Sequence, residues 1–404
     1  MKKKMYLMLK GIKRLLIKIR RIFVKCYKFF VVKKTISNNK KNEYKIGFLV
    51  QLSSIWDKQI NIYEELLKRD NIKVFLFVVP EYDFENDIII NSYEGNYFIE
   101  KYENAIKVID ENNTLLNLKE YELDYLFYPR PYDHYLPLQY RSGQVSKYCK
   151  CCYIPYGLTG SDNFDDTDLP FFDNIHCLFM DSDYQMKLIK KRYPISCKFG
   201  VKRVYSLGYP VLARFLDYPK TNGIHTIAWT PRWSMDPVKG GSNFLKYCNN
   251  FLELIENDNY NFIFRPHPLM FDELIKKGFI DEKFKNSFLE KLNKYNVLFD
   301  TVSPIEEIFK RTDLLITDFS TIISQFFMTN RPLIYCEGGI PLNEDYLDMM
   351  KYSYYANDWS EVLKFIDDIE KKGDSYFDSR KMFIDKKYSI CRESANLIAD
   401  KILD

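Results

Sequence analysis

The stretch Asp313 to Tyr335, DLLITDFSTIISQFFMTNRPLIY, constrains the fold of this chain more than any other. Leu314 to Thr317 is a short, unbroken apolar run, the pattern of a strand buried on both faces of a parallel sheet. Asp318, Phe319, Ser320 and Thr321 make a polar turn, a helix follows, and Pro332 to Tyr335 reads as a second strand. The hydroxyls of Ser320 and Thr321 fall at the helix start, where orphan N–H groups and the helix dipole favour an anion. In α/β sheets a strand end that opens into such a helix start is where phosphorylated ligands bind.

The same alternation runs through the rest of the chain. Lys45 to Leu52, Ile60 to Lys68 and Lys73 to Val79 predict a βαβ unit, and Asp124–Tyr128, Cys151–Pro155, Cys177–Met180 and Val204–Leu207 predict further strands. In the second half, strands are expected at Thr226–Thr230, Phe262–Arg265, Val297–Phe299, Leu314–Thr317 and Leu333–Tyr335, with helices between them. A chain of 404 residues is long for one core. Two Rossmann-like domains with ligand at the strand C-termini are therefore expected: 43–220 and 221–404, joined at the turn-rich Asp217 to Gly223.

The charge is unevenly placed. Thirteen basic residues lie within Met1 to Thr35 and the first acidic residue is Glu43, so that removing those thirteen turns the net +4 into −9 for the remainder. A nucleic-acid-binding core is excluded by that balance, and the basic character belongs to a leading segment. Lys10, Arg14, Lys18, Arg21, Lys25 and Lys28 share one helical face, and Leu9, Ile12, Leu16, Ile19, Phe23, Tyr27 and Phe30 the other. Residues 1–42 thus read as a basic amphipathic helix and linker, too short in its apolar runs to cross a bilayer and suited to an anionic membrane surface. The expected location is the cytoplasmic side, with the chain peripheral on the inner face of the plasma membrane. Nine cysteines without a secretory signal predict thiols in a reducing compartment, with Cys149, Cys151 and Cys152 in a core strand.

Three loops of the second half each follow a strand: Thr230-Pro231-Arg232-Trp233-Ser234, Arg265-Pro266-His267-Pro268 and Asp318-Phe319-Ser320-Thr321. Parallel strands would project all three from one edge. Together they bring guanidinium groups, an imidazole, hydroxyls and a helix start, a donor set suited to a pyrophosphate. There is no G-x-G-x-x-G and no G-x-x-x-x-G-K-[ST], which argues against dinucleotide and P-loop chemistry.

The order T-P-R, R-P-H-P, T-D-F-S-T and N-R-P-L-I-Y, over roughly Thr226 to Glu337, resembles the CDP-glycerol glycerophosphotransferase family. Those enzymes make teichoic-acid-type and capsular poly(glycerol phosphate). The resemblance implies a GT-B-like fold, with an acceptor domain first and a nucleotide-donor domain second. It implies transfer of glycerol phosphate from CDP-glycerol, or another CDP-alditol, to a hydroxyl of a lipid-linked or glycan acceptor, with release of CMP and no cofactor. Carried over by motif, His267 contacts the donor pyrophosphate and Ser320 and Thr321 hold its phosphates, with Arg232 and Arg265 neutralising charge. The chain departs from the family at Gln325, where an aspartate is frequent, and at Tyr156-Gly157, where a histidine usually precedes the glycine. A tyrosine with its ordinary pKa of about 10 is a poor base. Asp133 and His134, in a loop after another strand, are the expected acid/base pair.

Simpler readings stand beside these. Ser320 and Thr321 could cap a helix, and Arg232 could pair with a carboxylate. His176 and His225 are expected to be structural. Asp181-Ser182-Asp183 has the D-x-D spacing of metal-dependent glycosyltransferases, but its place between strand and helix favours a cap, and no metal site is expected. The acidic run Ser161 to Asp168 is expected to be a loop near the cleft that could bind an acceptor's hydroxyls or a divalent cation, though its spacing matches no calcium loop. Two other functions remain open from sequence: a GT-B glycosyltransferase using a nucleotide sugar, and an inactive homologue that binds polymer or a partner.

Overall fold

A computed structural model describes residues 21–36, 41–83, 85–86, 88–90, 94–164, 166–236, 241–257 and 260–403. The basic positions Lys10, Arg14 and Lys18 lie outside the described residues. The chain forms two compact units.

The first unit carries a seven-stranded sheet built from β1 (Tyr44–Val50), β2 (Ile72–Val78), β5 (Ala105–Lys107), β6 (Tyr125–Tyr128), β7 (Lys150–Tyr153), β8 (Ile175–Met180) and β9 (Arg203–Ser206). Between β2 and β5 lies a small antiparallel hairpin of β3 (Glu81–Asp83) and β4 (Ile88–Ile90). The sheet order is β5-β2-β1-β6-β7-β8-β9, and every pairing in it is parallel. The middle strands are largely buried: all four residues of β6 and all six of β8 are buried, as expected of a parallel sheet. Gly47 in β1 has a packing reason: a Cβ there would come within 2.8 Å of Leu126 and 2.9 Å of Phe77. Cys151 and Cys152 lie buried in β7, as a plain core strand requires.

The second unit holds a six-stranded parallel sheet: β10 (Thr226–Thr230), β11 (Asn261–Phe264), β12 (Leu298–Phe299), β13 (Leu314–Thr317), β14 (Leu333–Cys336) and β15 (Tyr354–Ala356). Its order is β12-β11-β10-β13-β14-β15. Its core centres on Trp229, Phe244, Phe251 and Phe264, all fully buried. Trp229 and Phe251 have ring centres 4.7 Å apart.

Two boundaries differ from the expected domains. The first unit runs to Pro210, and it regains the chain from Glu393, so the terminal helix Ser394–Leu403 belongs to it. That helix packs on the helix Ile60–Leu67, and Arg69 donates to Asp400 at 2.6 Å and Asn396 at 2.5 Å. Conversely, Gly157–Asp165 belongs to the second unit. Asn343 binds its backbone, donating from N to Gly160 O (2.8 Å) and from Nδ2 to Thr159 O (2.7 Å). The Tyr346 ring lies so close to Gly160 that a Cβ would meet it at 2.5 Å.

Residues 21–35 are helical. One side of this helix packs on the first unit: Val32 is buried, Lys25 lies 4.9 Å over the Tyr193 ring and Thr35 donates to Ser146 O at 2.8 Å. Ile22, Phe23, Tyr27 and Phe30 stand 60% or more exposed. Among the described residues no helix is long and apolar enough to cross a membrane.

Candidate functional site

In each sheet the strand order reverses once, at β1/β6 and at β10/β13. Such a switch point opens a crevice at the strand C-termini, because the two connections leave in opposite directions.

At the β10/β13 point the last register pair is Thr230 and Thr317, whose hydroxyls are bonded at 2.7 Å. The next residues form the centre of the site. Asp318 is fully buried, and its Oδ2 accepts the backbone N–H of Arg232 and of Asn243, each at 2.9 Å. Its Oδ1 accepts from Asn243 Nδ2, also at 2.9 Å. Burial pushes the Asp318 pKa up to about 6, while these donors and the Arg232 charge pull the other way. Arg232 donates Nη1 to Phe319 O at 2.9 Å, and its guanidinium lies 5.2 Å from the centre of the Phe319 ring.

The loop after β11 is tied alongside, with His267 N donating to Pro231 O at 3.2 Å. His267 Nδ1 accepts from Leu269 N at 3.2 Å. That bond places the ring proton on Nε2, leaving an N–H for a ligand. The residue keeps an exposed edge, yet crowding, and secondarily the Arg232 charge, push its pKa down to about 4. It is a neutral hydrogen-bond donor at physiological pH.

Ser320 and Thr321 do not cap. The helix after them, Ile322–Phe327, has six residues, and the Thr321 side chain makes no cap bond. A helix this short contributes a weak dipole, so the expected helix-start field shrinks and the side chains matter more. Ser320 Oγ is sealed from solvent without a protein partner, and Thr321 is exposed. The backbone of Gly157 approaches this turn so closely that a Cβ would lie 3.0 Å from Thr321 Cγ2.

Arg265 has a different place from the one expected. It pairs with Asp300 and donates Nη2 to Ser303 O at 2.7 Å, while Asp300 Oδ1 also accepts from Ser303 N at 3.3 Å. Its charge is spent on the loop after β12.

Sequence reasoning places Asp318 in the polar turn without a role of its own, and misses Asn243 and Tyr335 as site residues. Gly-Ser-Asn at 241–243, just before an amphipathic helix, was the available signal for Asn243. Asn243 Nδ2 also lies within 3.3 Å of Cys336 O and 3.2 Å of Glu337 O, linking the ends of three strands. The Tyr335 hydroxyl is buried without a protein partner, and burial raises its pKa.

At the β1/β6 point of the first unit, Arg130 stacks 4.0 Å over the Tyr135 ring and donates to Gln51 Oε1 at 3.1 Å. Gln51 Nε2 in turn donates to Tyr135 O (2.9 Å) and Pro80 O (3.1 Å). His134 is exposed on this loop, and its pKa is lowered by desolvation, then by Arg130 and Arg141, with Asp133 opposing. Asp133 serves the helix Ser142–Val145: Oδ1 accepts Ser142 N at 2.8 Å and Oδ2 accepts Ser142 Oγ at 2.6 Å. Burial raises its pKa. The hydroxyls of Tyr132 and Tyr156 lie 3.1 Å apart.

The D-x-D segment makes a cap through its serine: Ser182 Oγ accepts from Gln185 N at 3.2 Å. His176 Nδ1 lies 2.8 Å from Val201 O in the core, a structural role. His225 uses its backbone N–H on Asp313 at 2.9 Å. Among the described residues no group of three or more His, Cys, Asp or Glu side chains could hold a metal ion.

Residues 219–403 match the family model described as CDP-Glycerol:Poly(glycerophosphate) glycerophosphotransferase. No curated protein matches the chain. Among solved structures, UDP-GlcNAc 2-epimerase from Neisseria meningitidis bound to UDP-GlcNAc is similar at TM-score 0.57 and 10% identity, covering 89% of this chain and 99% of that one. A glycosyltransferase from Rickettsia africae gives TM-score 0.53 at 10% identity, over 90% and 100% of the two chains. A variant of the wall teichoic acid polymerase TagF gives 0.50 at 15% identity, over 98% and 97%. These likenesses show a GT-B-like fold with two Rossmann-like units.

Proposed function

We propose, from the match of residues 219–403 to the CDP-glycerol:poly(glycerophosphate) glycerophosphotransferase family model, that this transferase uses CDP-glycerol or a related CDP-alditol as donor. The observation that carries the reading is the convergence of Arg232, His267, Ser320 and Thr321 around Asp318 at the β10/β13 switch point. A pyrophosphate there meets one half-buried cation, the His267 Nε2–H, the exposed Thr321 hydroxyl and, once its side chain turns outward, the unpartnered Ser320 Oγ. The acceptor hydroxyl attacks the β-phosphorus, the bond from that phosphorus to the bridging oxygen breaks, and CMP leaves with the bonding electrons. The acceptor proton passes to a base, for which His134 is our choice: burial and the Arg130 and Arg141 charges lower its pKa, and it is exposed on the loop after β6. Asp133 acts on it by holding the loop and through its charge, which opposes the lowering. Positioning and charge neutralisation supply most of the rate enhancement.

The acceptor in this reading is a lipid-linked or growing glycan chain of a teichoic acid or capsule. Attachment to an anionic cytoplasmic membrane surface is supported by the exposed Ile22, Phe23, Tyr27 and Phe30 beside the exposed Lys33 and Lys34.

A melting panel of CDP-glycerol, CDP-ribitol, CMP and UDP-sugars tests the donor. Stabilisation by CDP-glycerol above CMP supports it; a shift with a UDP-sugar alone replaces it with a nucleotide-sugar transferase.

A further inference from the structure

A groove of about 580 Å³ lies in the first unit, formed by the segment before β6 and the segment between β6 and β7. Its walls are apolar, from Leu115, Leu118, Leu138 and the Tyr148 ring, and its rim carries Lys119 and Lys147. Lys119 Nζ sits 5.5 Å over the Tyr148 ring, which holds the amino group at the groove mouth. Lys147 Nζ donates to Gln144 Oε1 at 2.6 Å, and Gln139 Nε2 donates to Leu116 O at 3.1 Å, fixing two more polar groups on the rim. No carboxylate lines the groove, and the lining Asn117 donates Nδ2 to Glu120 Oε1 at 3.1 Å.

We propose that this groove binds the phosphodiester-linked polyol chain of the growing acceptor, a subsite that rests on the glycerophosphotransferase reading. Charge complementarity selects the occupant. A poly(glycerol phosphate) chain presents regularly spaced monoanionic phosphates joined by short carbon segments, which match separated ammonium groups over an apolar floor. The wall also shares its backbone with the switch-point loop: the turn Asp133–Tyr135 leads within three residues into Leu138–Tyr140. A polymer held in the groove is thereby kept beside the loop that carries His134, which raises its effective concentration for repeated transfer.

The test uses the full chain, a short soluble oligo(glycerol phosphate), CDP-glycerol and vesicles of phosphatidylglycerol, whose headgroup shares the same phosphodiester. The double variant K119Q/K147Q is expected to weaken oligomer binding by about tenfold, with CDP-glycerol binding unchanged and the KM for oligomeric acceptor raised more than kcat is lowered. Gln139→Lys, which adds a rim charge, is expected to tighten oligomer binding. Unchanged oligomer affinity in both variants overturns the proposal, as does a wild-type chain that binds the vesicles but not the oligomer. Groove-dependent oligomer binding in a chain that ignores CDP-glycerol would keep the subsite and remove the donor reading.

Discussion

Asp318 accepts the backbone N–H of Arg232 at 2.9 Å and so ties the loop after β13 to the loop after β10. The bond makes a buried carboxylate part of the frame on which the candidate donor site is built. Asp318→Ala leaves two buried backbone N–H donors unsatisfied, those of Arg232 and Asn243, while Asn243 Nδ2 keeps Cys336 O and Glu337 O. A loss of about 3 kcal/mol in chemical denaturation is expected.

The same carboxylate gives a pH signature. Its folded pKa, about 6, lies above the unfolded value, so the native state binds the proton more tightly. Its contribution to stability is therefore full below about pH 4 and is lost as the pH rises towards 6, on the order of 2 kcal/mol. Relative to Asp318→Asn, the native protein should lose stability over that interval. Denaturation curves at several pH values read the difference, and a flat difference would remove the assigned burial effect.

His267 predicts the opposite kind of silence. With its pKa near 4, the imidazole stays neutral from about pH 5 upward. Titration of CDP-glycerol binding should show no inflection near the ordinary histidine value of about 6.5. His267→Ala should lower kcat/KM for the donor by about a hundredfold, through loss of the Nε2–H contact.

Ser320 separates binding from folding. Because its Oγ has no protein partner, Ser320→Ala should leave the melting temperature unchanged or slightly higher. Donor affinity should fall about tenfold at the same time. A variant that loses stability instead would show that the hydroxyl serves the fold.

Arg265 and His134 divide scaffold from chemistry. Arg265→Ala should destabilise the protein and couple to Asp300→Asn in a double-mutant cycle, by about 1–3 kcal/mol. His134→Ala should cripple turnover while sparing CDP-glycerol binding, whereas Asp133→Asn should mainly lower stability by weakening the Ser142 contacts. Wild-type turnover in His134→Ala removes that residue from the mechanism.

The long apolar strands were legible in the sequence because burial on both faces leaves an unbroken hydrophobic run. Short edge strands such as β5 and β15 were not, since three residues carry no periodicity. The three donor-site loops could be placed on one edge because parallel strands end together. Their bonding could not: nothing local distinguishes an arginine free to meet phosphate from Arg265, whose partner Asp300 is 35 positions away. Asp133 and His134 looked alike as neighbours, and only the fold separates the carboxylate at Ser142 from the exposed ring. The exchange of Gly157–Asp165 and Ser394–Leu403 between units depends on long-range packing, which local patterns do not record.

The most direct test of the central claim is CMP release by the purified chain given CDP-glycerol and oligo(glycerol phosphate). The account predicts CMP formed in equal amount with glycerol phosphate added to the acceptor, and lost in His267→Ala. No CMP and no change in acceptor length, while a UDP-sugar is turned over, would contradict it.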